Sequence, residues 1–443
     1  MKKLSLGIIT LLIAGTIYYF TSGSEQITAE IKKQLNNELT SIQKEGFSVQ
    51  NREIKEVSEH FILSFDDPKK IAQFFSRQGL HINANDTEIL KGLRVGIDIK
   101  YLADTYSSVA FDMYPVALPS VIISSATSNK DKKILSQVEK MLEKKTFLMH
   151  IAINKLGNGF KGHMSDIDEI LNTEQTIKLN MKGLTFSGNI TNNSISSVEQ
   201  QLIALSLHVV DKMQLSFTGV KSDYLITGKT PYNYTTKYDI DKIHINVADK
   251  FNLLFEKLLI NSVSLVKDGL ASGSLISSLD KINMTNKAEN YVLNTFTFES
   301  NAEGLDISAF KKLQEIDVNN KKEVNKLLQE MLSKGVSFEI PKCSIVSMES
   351  EGKKIDGFNI TAKVALDKSF DVMALDTNPL STLSAIDANL SITLSKELFG
   401  EITKIPQAMM ALMLFQPKDV NGQKVYKLEL EKGKITVNGR PFL

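Results

Sequence analysis

The residues able to carry chemistry are few and widely spaced in this chain of 443 residues. Six histidines stand at His60, His81, His150, His163, His208 and His244, and none has the spacing that puts two imidazoles on one helix face as zinc ligands. His150 and His244 occupy polar positions of alternating segments, where a solvated imidazole is expected. Cys343 is the single cysteine, so no intrachain disulfide can form. Its surroundings, Phe338 to Ile345, read as a strand with a buried, inert thiol rather than an activated thiolate. Asp166, Asp168 and Glu169 lack the glycine and the bidentate glutamate of a calcium loop and read as a solvated turn. Gly157, Gly159 and Gly162 have the spacing of a dinucleotide fingerprint, which works only where it opens a helix onto a phosphate. Here Phe160 to Met164 continues as a strand, so the glycines read as a hairpin. No Gly-x-Ser-x-Gly elbow occurs. No catalytic, cofactor-binding or metal-ligating residue is therefore assigned, no cofactor is expected, and the chain reads as a non-enzymatic protein.

The segments that position these residues begin with Lys2 and Lys3, followed by an uncharged apolar run from Leu4 to Phe20. Such a run is a single-pass anchor or an export signal, with its basic end left in the cytoplasm. Tyr18, Tyr19 and Phe20 occupy the place of the small residues that a cleavage site needs, which favours a retained anchor over a removed signal peptide. Residues 1–23 are thus expected to tether a body that lies in the periplasm. Lys plus Arg number 52 against 51 for Asp plus Glu, which leaves no basic footprint for nucleic acid.

Most of that body alternates with period two, the pattern of antiparallel strands with one polar face. The signal recurs at Phe147, Met149, Ile151 and Ile153; Ile177, Leu179 and Met181; Leu184 and Phe186; Leu215 and Phe217; Ile243, Ile245 and Val247; Phe296 and Phe298; Phe358 to Leu366; Leu390 to Leu394; and Tyr426 to Leu430. Asn158-Gly159, Asn421-Gly422, Lys432-Gly433 and Asn438-Gly439 supply tight reversals. Helices are expected after Asn320, whose Glu323 completes a capping box and whose stripe ends before Gly335; after Ser128; and from Pro68 to about Gly79. Ile27, Ile31, Leu35, Leu39 and Ile42 form an amphipathic stretch, either a stalk or a helix packed on the sheet. Residues 408–415, uncharged and rich in methionine, read as core packing, with a surface that holds an acyl chain or a partner helix as the alternative. Asn389 sits in an N-x-S sequon with an acid two positions earlier. The expected class is α+β: an N-terminal membrane helix, then extended, curled antiparallel sheet with a few packed amphipathic helices. A soft division near Lys287 separates strand-rich halves at 24–286 and 287–443.

The basic start and anchor, the amphipathic stretch, the strand-rich body and the finish from Gly433 through Ile435, Val437 and Asn438-Gly439 to Pro441 resemble the YdgA-like family of bacterial envelope proteins of unknown function. That resemblance implies an inner-membrane-anchored protein of the Gram-negative periplasm. It brings no functional residues with it. In style the chain is also similar to the AsmA-like group, whose long curled sheets are linked to lipid handling, an analogy of fold alone. The expected function is a β-rich scaffold that handles lipid or binds another envelope protein, anchored through residues 4–20. A periplasmic hydrolase with a site gathered from distant residues is the alternative.

Overall fold

A computed structural model describes residues 27–77, 84–101, 104–172, 175–191, 194–230, 232–286, 289–316, 320–350, 352–405 and 415–442. Residues 4–20, 408–414, His81 and Gly79 lie outside them, and among the described residues no helix is long and apolar enough to cross a membrane. The chain divides into two compact units, Met1–Leu225 and Ile226–Leu443. Both are antiparallel sheets carrying a few amphipathic helices, as the alternation requires.

The first unit opens with α1 (Ile27–Lys44), whose Ile31, Leu35 and Leu39 are buried. Of the two readings of this stretch, packing on the sheet is the one observed. The strands are β1 (Phe47–Ile54), β2 (Ser58–Phe65), β3 (Arg94–Tyr101), β4 (Ser107–Ala117), β5 (Met149–Asn154), β6 (Gly159–Met164), β7 (Ile167–Asn172), β8 (Thr176–Lys182), β9 (Thr185–Thr191), β10 (Ser194–Val209) and β11 (Met213–Ile226). Strands β1 to β6 form a meander, β6 pairs with β9, and β9 pairs with β10. The sheet forks at β10: Ser194 to Gln201 pair with β9, whereas Ala204 to Val209 pair with β8, which in turn carries β7. Three further helices are α2 (Pro68–Arg77), α3 (Ser120–Ser125) and α4 (Asn129–Glu143). Asp67 accepts from the Lys70 N–H at the start of α2, and Ser128 and Asp131 form a reciprocal capping box on α4. One face of the sheet buries Phe61, Ile97, Ile99, Val109, Phe111, Ile151, Ile153, Phe160 and Phe186 against α1 and the phenylalanines of α2. The opposite face is polar.

The second unit runs β12 (Tyr234–Val247), β13 (Phe251–Lys267), β14 (Leu270–Asn286), β15 (Glu289–Asp306), α5 (Ile307–Glu315), α6 (Lys321–Leu332), β16 (Val336–Ser350), β17 (Lys353–Leu366), α7 (Ala374–Thr377), α8 (Pro379–Thr382), β18 (Ile386–Ser395), α9 (Lys396–Ile402), β19 (Lys418–Val420), β20 (Gln423–Glu431), β21 (Lys434–Val437) and β22 (Arg440–Pro441). Each long strand pairs antiparallel with the next, from β12 through β18, and β18 then pairs with β20. Asn320 caps α6 by accepting from the Glu323 N–H, as its spacing requires. Asn421-Gly422, Lys432-Gly433 and Asn438-Gly439 all adopt positive φ at both residues, the geometry of tight hairpin reversals. At the β5–β6 turn the positive φ falls on Gly157 rather than on Gly159, which opens β6 instead. The sequence border near Lys287 coincides with the β14–β15 hairpin inside this unit, whose strands pair up to Asn286 and Glu289.

Candidate functional site

Antiparallel register assembles the scattered polar residues of the first unit. Glu53 of β1 lies opposite His60 of β2, His60 opposite Asp98 of β3, Asp98 opposite Asp112 of β4, and Asp112 opposite His150 of β5. The row continues through His163 of β6, Thr185 of β9, Gln201 of β10 and Lys221 of β11. Residues in register share a sheet face, so this is one polar line across the unit. Two like charges directly opposite each other repel, and Asp98 and Asp112 are held together by bases on either side. His60 Nδ1 lies 2.6 Å from Asp98 Oδ1, and His150 Nδ1 lies 2.6 Å from Asp112 Oδ1. Lys145, at the end of α4, donates from Nζ to Asp98 Oδ2 at 3.1 Å while lying over the Tyr114 ring at 3.7 Å. Burial works against the Asp98 charge, but the hydrogen bonds from His60 and Lys145 and the Lys145 charge hold the carboxyl below its ordinary value.

While Asp112 engages Nδ1 of His150, the His150 and His163 rings lie 5.2 Å apart between centroids, with their planes tilted by 35°. The two histidines border a shallow groove of about 670 Å³, with Lys161 on β6, Thr185 and Ser187 on β9, Glu199 on β10 and Asp223 on β11. Gly162 keeps this strand crossing open: a Cβ there would meet the His150 carbonyl and the edge of the Phe186 ring. Among the described histidines, His60, His150 and His163 alone share this line. His150 is half-buried and paired rather than solvated, because the Asp112 opposite it cannot be read without the register. His244 bonds Asn252 across β12 and β13 at 2.6 Å. Asp166 accepts from the Gly183 N–H, and Glu169 accepts from the Thr146 hydroxyl. The glycine fingerprint lies on the β5–β6 hairpin, with Ile151 opposite Gly162. Cys343 is half-buried, and burial pushes its thiol up, away from thiolate reactivity. Among the described residues no three or more His, Cys, Asp and Glu side chains are grouped to hold a metal ion.

The second unit offers a different surface. Ile243, Phe255, Ile282, Leu293, Met348 and Ile355 form one row from β12 to β17. Ile240, Leu258, Leu279, Phe296, Ile345, Phe358 and Leu394 form the next, and Tyr238, Ile260, Ser277, Phe298, Cys343, Ile360, Ile392 and Tyr426 a third. The rows between carry Lys242, Glu256, Lys281, Asn294, Ser347 and Asp356, so the other face is polar. Helix α9 roofs the apolar face near β17, β18 and β20, where Leu398 packs with Ile355, Leu394 and Tyr426. Leu328 and Leu332 of α6 pack with Leu366, Ile386 and Phe370. Among the described apolar residues of β12 to β15, Leu279 alone is buried, and the remainder of the apolar rows there stays half-covered or exposed. Sequence alternation marks each strand of this face; it does not show that the strands are adjacent. No family model, no curated protein and no solved structure matches this chain.

Proposed function

We propose that this chain is a membrane-anchored envelope protein of the periplasm that holds acyl chains of lipids on the apolar face of its second unit. The observation carrying the reading is the set of apolar rows across β12 to β15, broken at Ser277, whose side chains other than Leu279 stay half-covered or exposed, whereas Leu398 and Leu328 of the helices pack over the later strands. Strands lie about 4.8 Å apart, so these four offer an apolar strip about 14 Å wide. Its length, along strands of up to 18 residues, exceeds that of a single acyl chain. A soluble protein leaves so broad an apolar surface open only where something apolar settles on it. The apolar run Leu4 to Phe20 supports placement beside a bilayer, and the near-balance of charge argues for an uncharged apolar cargo rather than a polyanion.

The test is native-detergent purification of the full-length protein followed by lipid mass spectrometry. Lipid is expected to remain bound to the wild-type chain and to fall about tenfold in Phe255→Glu/Ile282→Glu, because charge on an apolar surface is costly. Lys281→Glu, on the polar face, is expected to keep its lipid. Wild-type protein repeatedly free of lipid overturns the reading. The Asp112–His150 pair beside the groove favours a second reading, a hydrolase in which His150 acts as general base toward water. It requires turnover of an ester or phosphoester by the wild-type protein that is lost in His150→Ala, and inactivity of the wild type across such a panel dismisses it.

A further inference from the structure

The β1–β2 turn, residues 104–106 before β4 and the β5–β6 turn of the first unit lie at one end of its sheet, because Ser58 is opposite Lys100, Ser107 opposite Asn154, and Gly159 opposite Asn189. That end carries apolar side chains in the open. Ile54 is 58% exposed, Val57 62%, Tyr106 37% and Leu156 74%. Each turn that bears them also bears or adjoins a lysine: Lys55 between Ile54 and Val57, Lys155 before Leu156, and Lys161 over the Tyr106 ring at 4.0 Å. Glu53, Glu56, Glu59 and Asp104 are acids near this end; Glu59 is buried and paired with Arg52, and Asp104 is occupied by the backbone N–H groups of Tyr106 and Ser107.

Backbone bonds tie the turns into a rim. Tyr101 N–H donates to the Val57 carbonyl at 3.0 Å, Lys155 N–H to the Tyr106 carbonyl at 3.0 Å, and Ile190 N–H to the Asn158 carbonyl at 2.9 Å. An apolar tip flanked by lysine is suited to the boundary between head groups and acyl chains, where the tip is immersed and the ammonium meets phosphate.

Helix α1 reaches the same end. Its first turns lie beside the β1–β2 turn, where Lys32 Nζ donates to the Lys55 carbonyl at 3.0 Å and to the Glu56 carbonyl at 2.6 Å. Residues 21–26 separate Phe20 from Ile27, and even fully extended they reach about 20 Å. We infer that this rim, led by Val57 and Leu156, rests on the lipid surface in which residues 4–20 are held, so that the first unit touches the bilayer end-on. The inference rests on the anchor reading and adds to it a second, interfacial contact. The exposed Val121, Ile122 and Ile123 of α3 follow β4 at the far end of the sheet and face away from the bilayer in this arrangement.

The chain contains no tryptophan, so a single introduced one reports its own surroundings. Val57→Trp, Leu156→Trp and Val121→Trp, each made in the full-length chain at an exposed site, are reconstituted in vesicles of phosphatidylethanolamine and phosphatidylglycerol with brominated acyl chains. Emission at positions 57 and 156 is expected to fall about twofold relative to unbrominated vesicles, with position 121 unaffected. Vesicle-bound protein showing no quenching at 57 and 156, or quenching at 121 instead, overturns the rim contact while leaving the anchor standing. Protein that remains in the soluble fraction overturns both.

Discussion

Asp98 shows how a single carboxylate organises the polar face. It faces another aspartate across the ladder and keeps its charge because His60 and Lys145 both bond it. Its carboxyl is held below the ordinary 3.8, so the folded state binds this proton more weakly than the unfolded one. The stability it contributes is therefore present above 3.8 and is lost as pH falls through the lower folded value. Urea unfolding followed by circular dichroism between pH 5 and pH 2 is expected to show a shallower loss of stability in Asp98→Asn than in the wild type, and identical slopes contradict this role. None of it was legible from residue identity. His60, Asp98, Asp112 and His150 are separated along the chain, and only antiparallel register makes them neighbours. The hairpin reading was better served by sequence: Gly157, Gly159 and Gly162 do lie on a hairpin, as the strand pattern after them required.

Among the elements, the long strands of the second unit share a device visible only when they are aligned. The ladder is interrupted at Asp241 and Lys257 in β12 and β13, at Asp280 and Thr295 in β14 and β15, and at Val346 and Gly357 in β16 and β17. Each strand spends one extra residue there, so its apolar positions change parity: Tyr238 and Ile240 before the interruption in β12, Ile243 and Ile245 after it. Because all six change together, the apolar rows stay continuous across the line. The register does not shift at these interruptions, because an unpaired residue on one strand faces an unpaired residue on the next, and two of the positions hold left-handed backbone, Lys257 at φ 55° and Thr295 at φ 53°. A β-branched residue is strained in that region. Thr295→Gly is expected to stabilise the second unit by about 1 kcal/mol in urea unfolding, net of the flexibility that glycine adds to the unfolded chain, and a loss of stability contradicts strained backbone at this position. Period-two alternation found these strands because one face is buried or half-covered; the extra residue broke the pattern into shorter runs, which hid their full length. The capped helix after Asn320 was legible because its capping residues are local in sequence.

For the whole molecule, the sequence carried the antiparallel strand excess and the few packed helices, whereas the border between units at Leu225 and Ile226 left no mark in composition. No stretch rich in proline, glycine or serine separates the units, and a change of packing partner between similar strands is silent in sequence. The apolar rows from β12 to β15 are the feature from which the lipid reading follows, and acyl chains can be caught on them directly. The full-length protein is reconstituted with a phospholipid bearing a diazirine in its acyl chain, irradiated and digested, and the labelled peptides are identified. Labels on Phe255, Leu258 and Ile282 of the apolar face, in addition to any on residues 4–20, are the expected result. Labels confined to residues 4–20, with the second unit clean, would contradict the account.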